Sequence, residues 1–376
     1  MAHTNKCVDE LYSFFEKNPY LILSKELVLA TLFHDIGKPS TTKLNADGEY
    51  TAKNHGPVGA RIIRKILSDE PDIIRREHVC ALVRDHMILH HIFDDENKER
   101  MLSNLIRLNH TYAPSEDFLF LNYADDFGSD NTQTKKYRLS RLQKIDNLFK
   151  RNCMCKTMRF SSGIEKLDKS YGISKGEVPN DGFNVVIMVG FPGAGKDHFI
   201  EHNLKNFAVI SRDEIRIELG IMSPEKKGVG TKEQEQEVTD ISNRLMEEYC
   251  RDRKSFVVNN TSLPRRRRKE IIEKILPYNP YVTIILVDTP IDICKERRKG
   301  YIGDSVYENM EKSFDFPMPY EANRIICVTA DGSQQILWDD STKNFYSDKC
   351  HWVDHFKHGA ILRWFRNRFT NFFQKN

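Results

Sequence analysis

Val185-Val186-Ile187-Met188-Val189-Gly190-Phe191-Pro192-Gly193-Ala194-Gly195-Lys196-Asp197 decides how the C-terminal half of this chain folds. Five consecutive apolar residues have the pattern of a strand buried on both faces, as in a parallel sheet. The glycines that follow, spaced Gly-x-x-x-x-Gly-Lys, let the backbone wrap an anion with its N–H groups turned inward. Lys196 supplies a cation for the outer phosphates of a nucleotide. A helix opening there presents its positive end to the same group. A glycine-rich turn with a solvated lysine is the competing reading, and it leaves the buried strand unexplained. Gly190, Gly193, Ala194, Gly195, Lys196, Asp197 and His198 are the candidate nucleotide contacts. Asp197 stands where a Ser or Thr that helps to hold Mg2+ is usual.

Strands and helices alternate downstream. Phe207-Ala208-Val209-Ile210-Ser211 reads as the second strand and ends in Arg212-Asp213-Glu214-Ile215-Arg216. The carboxyl ends of parallel strands are where open α/β sheets bind ligands. Asp213 there is either a general base for an attacking hydroxyl or a helix N-cap, or both. Arg216 shares its helix face and is suited to grip a phosphate. Lys232–Lys254 is a charged helix, Ser255–Thr261 a strand whose polar end faces the site, and Pro264 opens a helix with Arg265-Arg266-Arg267-Arg268. Of these four arginines at least two should be solvated. Tyr281–Asp288 is the fourth strand, the helix after it ends in the cations Arg297 and Arg298, and Arg324–Thr329 is expected to be the last strand.

The N-terminal half reads as helical. An amphipathic helix is expected over 8–23, with Val8, Leu11, Tyr12 and Phe15 on one side, and a second begins after the cap Ser24. The second delivers His34-Asp35-Ile36-Gly37-Lys38-Pro39. Burying a histidine beside a carboxylate is costly without a compensating charge, which a divalent metal would supply. His55, His86 and Asp125 continue the series. Imidazole with carboxylate suits Mn2+, Co2+, Ni2+ or Fe2+, with Mg2+ also open. His90 and His91 fall on a neighbouring face and stay outside the set; His78 and His110 read as surface. Lys38 is either a solvated turn residue or a stabiliser of phosphate charge.

Bulk properties constrain the rest. A chain of 376 residues exceeds one ordinary core, which favours two domains. Net charge is +3, pI about 8.3 and mean hydropathy −0.56: phosphate-backbone binding is permitted but not demanded. Nothing in the sequence is long and apolar enough to span a membrane, and Met1–Lys6 lacks a signal-peptide core. The eight cysteines are expected to be reduced thiols in a cytoplasmic protein, with zinc not expected at Cys153 and Cys155. Lys135–Arg151 carries Leu139, Leu142, Ile145 and Leu148 at helical spacing, a core stripe with a solvated basic back or a face for a phosphate backbone. The expected division is 1–150 helical, 151–182 linker, 183–332 P-loop, and 333–376 an aromatic and basic extension.

Two resemblances sharpen this reading. Phe33-His34-Asp35-Ile36-Gly37-Lys38-Pro39, His55-Gly56-x-x-Gly59-Ala60 and Ala124-Asp125-x-x-Gly128 resemble the HD phosphohydrolase superfamily, in particular the HD domain attached to bacterial tRNA nucleotidyltransferases. The resemblance implies metal ligation by His34, Asp35, His55, His86 and Asp125, and hydrolysis of 2′,3′-cyclic or 2′/3′-phosphates. Many such domains carry an earlier histidine ligand; here only His3 precedes the pair, in what reads as a tail. Residues 183–330 resemble phage and bacterial polynucleotide 5′-hydroxyl kinases through the phosphate loop, Arg212-Asp213-x-x-Arg216, Asn259-Asn260-Thr261-Ser262-Leu263 and Phe314-x-x-Pro317-x-x-x-Glu321. That resemblance implies Asp213 as base, Arg216 on the acceptor phosphate, and Arg297 or Arg298 as a lid over ATP.

The expected fold class is an all-α HD domain followed by an α/β P-loop kinase domain with a parallel sheet. Together the halves resemble bifunctional RNA end-healing enzymes. Their implied cofactors are ATP, Mg2+ and a transition metal. Their implied partners are RNA ends, nicked tRNA among them, and a separate RNA ligase acting downstream, with no membrane and a homodimer left open. The rivals are a nucleoside or nucleotide kinase fused to a nucleotide phosphohydrolase, and a non-catalytic nucleotide sensor.

Overall fold

In the computed structural model, the residues described are 2–92, 101, 104–105, 107–108, 111–129, 135–151, 182–223 and 230–339. Cys153, Cys155, His110, the linker before 182 and the tail beyond 339 lie outside them. The described residues fall into two compact units, one up to 151 and one over 182–339.

The first unit is helical. Its elements are α1 (Ala2–Glu16), α2 (Lys25–Phe33), a short α3 (Lys38–Thr41), a small hairpin β1 (Lys43–Leu44) and β2 (Tyr50–Thr51), α4 (His55–Ile66), α5 (Ile73–Asp85), α6 (Ser115–Gly128) and α7 (Lys135–Arg151). Ser24 caps α2 as expected, accepting from the Leu27 N–H at 3.1 Å. The first helix departs from expectation. It begins at Ala2 and ends at Glu16, burying Cys7, Leu11, Phe14 and Phe15, while Tyr12 faces solvent. This shift of phase follows from packing: Phe14 and Phe15 both lodge on Phe120 of α6. His3 therefore sits on a helix rather than in a tail.

Helix α4 lies on α5, clamped by Arg64, which donates twice to buried Glu77 at 2.8 and 2.6 Å. Helix α7 gives the apolar stripe its place, with Leu142 and Ile145 in the core. Its basic back is not all solvated. Arg138 is buried and donates to the Ser129 carbonyl, and Arg141 donates to the Leu89 carbonyl and the Asn122 side chain.

The second unit is a six-stranded sheet flanked by helices. Its elements are β3 (Asn184–Val189), α8 (Lys196–Asn203), β4 (Ala208–Ser211), α9 (Arg212–Glu218), α10 (Lys232–Arg251), β5 (Phe256–Asn259), α11 (Arg265–Ile275), β6 (Tyr281–Asp288), α12 (Ile291–Arg297), α13 (Asp304–Ser313), β7 (Arg324–Thr329) and β8 (Gln334–Asp339). The order is β4-β5-β3-β6-β7-β8. The five strands from β3 to β7 are parallel, and β3 is buried between β5 and β6. Arg324–Thr329 is not the last strand: Gln334–Asp339 turns back antiparallel along it, the turn closed by Asp331 and Ser333 around Thr329. The sheet thus runs past residue 332. Among the described residues no helix is long and apolar enough to cross a membrane.

Candidate functional sites in the two units

In the helical unit, His34 ends α2, Asp35 and Lys38 follow it, His55 opens α4, His86 follows α5, and Asp125 stands in α6. The structure brings all five candidate ligands together and adds two. His3, carried in by α1, has Nε2 3.0 Å from Asp125 Oδ1 and 3.8 Å from Asp35 Oδ2. His34 Nε2 is 3.4 Å from Asp35 Oδ2 and 3.6 Å from Asp125 Oδ1. On the other side, His55 Nε2 and His86 Nε2 lie 3.1 Å apart and 3.4 and 3.8 Å from Asp35 Oδ1. Asp35 thus gives one oxygen to each of two groups. His90, left outside the set, reaches Asp125 Oδ2 at 2.8 Å, because the chain tightens into a short 3-10 turn after α5 instead of continuing as helix. His78 is not on the surface either; it pairs with Asp117 at 2.8 Å.

Backbone contacts fix the ring orientations. His3, His34, His55 and His86 direct Nδ1 at the carbonyls of Gly128, Thr31, Ala52 and Val83, at 3.2, 2.8, 2.7 and 2.8 Å. A carbonyl can only accept, so each Nδ1 carries the proton and each Nε2 is turned to the centre, the arrangement that orients metal-ligating imidazoles. His34 Nε2 is buried and makes no hydrogen bond. Four convergent imidazole nitrogens and two carboxylates, one nitrogen orphaned, fit divalent cations. Gly37 makes the approach of the loop possible, because a Cβ there would lie 2.0 Å from the His55 carbonyl oxygen.

The charges in the cluster are coupled. Burial opposes ionisation of Asp35 and Asp125, but the close cations of His34 and Lys38 beside the first, and of His3 and His34 beside the second, hold both well below the usual carboxylate range. Burial would lower His34, yet Asp125 and Asp35 outweigh it and raise it to about 10. Burial, reinforced by His34, pulls His86 down to about 3. Burial pushes the Cys7 thiol up to about 12.

The cation-free cluster is therefore stabilised by protonated His34. Because its folded value lies above 6.5, that stabilisation is complete below 6.5 and lost as pH rises through about 10. A cation must displace that proton. Metal binding at pH 7.5 should release at least one proton per chain, and apparent affinity should rise with pH over this window. Calorimetry in buffers of different ionisation enthalpy reads the number directly, and a value near zero would contradict the assignment.

In the second unit the phosphate loop follows β3. Gly193 has φ +82° and lies where a Cβ would sit 2.7 Å from the Cys294 carbonyl oxygen. Lys196 Nζ donates to the Gly190 and Phe191 carbonyls, both at 3.0 Å, and burial pulls its ammonium down to about 8. The Thr289 hydroxyl holds the Ala194 carbonyl at 2.8 Å. Asp197 Oδ1 accepts from Asn259 Nδ2, at the end of β5, at 2.7 Å. His198 faces solvent and rests against His202. The two lid candidates differ: Arg297 donates to the Gly193 and Ala194 carbonyls at 3.1 and 3.3 Å, whereas Arg298 packs its stem beside Gly193.

Asp213 and Arg216 lie at the carboxyl end of β4, in α9. The N-cap is not Asp213 but Ser211, whose hydroxyl accepts from the Glu214 N–H. Asp213 is well exposed and accepts from Arg216 Nη1 at 2.7 Å. The partner that sequence reading missed is Glu235 on α10. It takes two bonds from Arg216, each 2.8 Å, and one from Arg212 at 3.0 Å. The Arg216 contact holds its carboxyl down at about 2. Glu235 is one of many charges on a helix, and only the fold singles it out.

Loop 260–263 joins these parts. Its Thr261 carbonyl accepts from the Gly190 N–H at 3.0 Å. Of the four arginines, Arg266 and Arg267 are solvated as expected, but Arg268 is fully buried. It donates to both Glu321 oxygens at 2.7 and 3.0 Å and to the Ser262 and Leu263 carbonyls at 2.9 and 2.8 Å.

Comparison with known proteins matches one family model to each unit. Residues 16–117 match the HD domain family and residues 185–306 the AAA domain family. A crystal structure of a sugar kinase from a Janibacter species is similar at 18% identity and a TM-score of 0.29, the match covering 46% of this chain and 94% of that one. No curated protein matches the chain. The P-loop domain implies ATP and Mg2+, and the HD domain divalent cations. The chain carries an HD domain followed by a kinase-like P-loop domain of the AAA type, a pairing that fits a fused kinase and phosphohydrolase.

Proposed function

We propose that the chain heals broken RNA ends: the P-loop domain phosphorylates a 5′-hydroxyl from ATP, and the HD domain hydrolyses a 2′,3′-cyclic or 2′/3′-phosphate. The observation that carries this reading is the pair Asp213 and Arg216 beside the phosphate loop. Asp213 is solvent-accessible and its charge is felt at Lys196, so it can take the proton of an incoming hydroxyl. Arg216 is held by Glu235 with its remaining edge beside Asp213, where an acceptor phosphate would lie. A small nucleoside offers no such phosphate next to its attacking hydroxyl. Lys196 and Arg297 would bracket the donor phosphates, and Asp197 would face the Mg2+ with Asn259 setting its orientation.

In the HD domain His3, His34 and Asp125 would hold one cation and His55 and His86 a second, with Asp35 between them. Bound cations would polarise a phosphoryl oxygen. Lys38, 2.6 Å from Asp35 and half exposed, would meet the phosphate of the substrate. RNA ends such as those of nicked tRNA, and a separate ligase consuming the products, are the partners this reading requires.

The test uses labelled ATP, Mg2+ or Mn2+, and an oligoribonucleotide with a 5′-hydroxyl and a 2′,3′-cyclic phosphate. Label should reach the 5′ end, and Asp213→Ala should slow transfer by about 10²- to 10⁴-fold without changing the 3′-end reaction. Transfer to mononucleosides but not oligomers would favour the small-molecule pair. ATP binding without turnover would favour the sensor.

A further inference from the structure

Cys7 belongs to no part of the site as read so far. It lies one turn after His3 on α1, so the two side chains share a helix face. It is completely buried, forms no disulfide, and has Sγ 3.5 Å from His3 Nε2. One ligand atom each from His3, Cys7, His34 and Asp125 lie within 4.8 Å of one another. The Zn–S and Zn–N lengths of a tetrahedral site put sulfur and nitrogen about 3.5 Å apart. His34 supplies an independent sign that the group binds a ligand: its side chain is 1% exposed, its Nδ1 is committed to Thr31, and its Nε2, which makes no hydrogen bond, is part of this group. The position is also shaped around the sulfur. A Cβ on Gly128 would lie 2.5 Å from Cys7 Sγ, so the glycine one turn after Asp125 leaves the thiol its space.

We propose that the cation held by His3, His34 and Asp125 is also bound by the Cys7 thiolate. This sulfur turns the position toward thiophilic divalent metals such as Co2+, Zn2+ or Fe2+ and away from Mg2+. On binding, the thiol proton leaves to solvent and a metal–sulfur bond forms. A soft donor among nitrogen and oxygen ligands favours late transition metals over the hard alkaline-earth ions. The second position, built on His55, His86 and Asp35, has no sulfur, so the two positions differ in the metal they prefer. The inference rests on the cluster binding metal and is independent of the RNA substrate.

The experiment loads the full chain with Co2+ and records its absorption. Visible d–d bands report binding; a near-ultraviolet sulfur-to-cobalt charge-transfer band reports the thiolate. Cys7→Ser should lose the charge-transfer band, keep the d–d bands, and shift the preference for Co2+ over Mg2+ by about 10- to 100-fold. X-ray absorption at the cobalt edge of the unaltered protein should show sulfur in the first shell, which needs no variant and so does not depend on one folding. A first shell of nitrogen and oxygen alone, or a charge-transfer band that survives in Cys7→Ser, overturns the proposal. Missing d–d bands in the unaltered protein would instead refute the metal reading of the whole cluster, and this inference with it.

Discussion

Replacing Asp35 by alanine should strip both cation positions of the HD domain and end the proposed hydrolysis at the RNA 3′ end, while the proposed phosphate transfer by the P-loop domain continues. Each of the other ligands serves one group, but Asp35 presents Oδ2 to His3 and His34 and Oδ1 to His55 and His86. Two-metal sites hold their ions about 3.5–4 Å apart, a spacing that a carboxylate bridging through both oxygens can sustain. Its removal also leaves protonated His34 with one carboxylate partner instead of two. Cations bound per chain, measured by equilibrium dialysis with metal analysis, should fall from about two to below one. His86→Ala should cost one. Equal losses in the two variants would show that Asp35 does not bridge.

Replacing Arg268 by methionine should be the most damaging single change in the P-loop domain. The guanidinium and Glu321 are 0% and 1% exposed. Methionine would leave Glu321 as an unpaired buried charge, and breaking such a pair costs about 3–5 kcal/mol. It would also orphan the Ser262 and Leu263 carbonyls and loosen the loop whose Thr261 carbonyl steadies Gly190. Urea unfolding should show the stability loss, and ATP affinity should fall with it. The double variant Arg268→Met/Glu321→Gln should recover a good part of the loss, because the stranded charge is gone. A single variant within about 1 kcal/mol of the parent would show that the loop does not depend on this pair.

The parts of the fold written in contiguous residues were legible. A buried run before a glycine loop specifies β3 and its turn, and Tyr281–Asp288 matched β6 residue for residue. Ser24 before an apolar run fixed the start of α2. Phase and partnership were less legible. The first helix was read nearly two turns late, since Val8 and Tyr12 compete with Cys7 and Phe14 for the buried face and only α6 decides between them. That displacement hid His3, whose role follows from the docking of α1 and from no motif. His90 was hidden by the end of α5. Arg268 and Glu321 lie 53 residues apart, and four identical arginines give no hint which one turns inward. Strand β8 was missed because Gln334 and Gln335 dilute its apolar pattern.

The contacts within the phosphate loop carry a thermodynamic consequence. Lys196 already spans two carbonyls, and Arg297 and Thr289 hold two more places on the same backbone. A nucleotide arriving here does not have to gather a loose segment around itself. It trades places with the loop's own carbonyls for the lysine, so the ordering cost that weakens many associations is already met within the folded chain. Binding becomes a swap of electrostatic partners, with its signature in heat rather than in lost chain freedom.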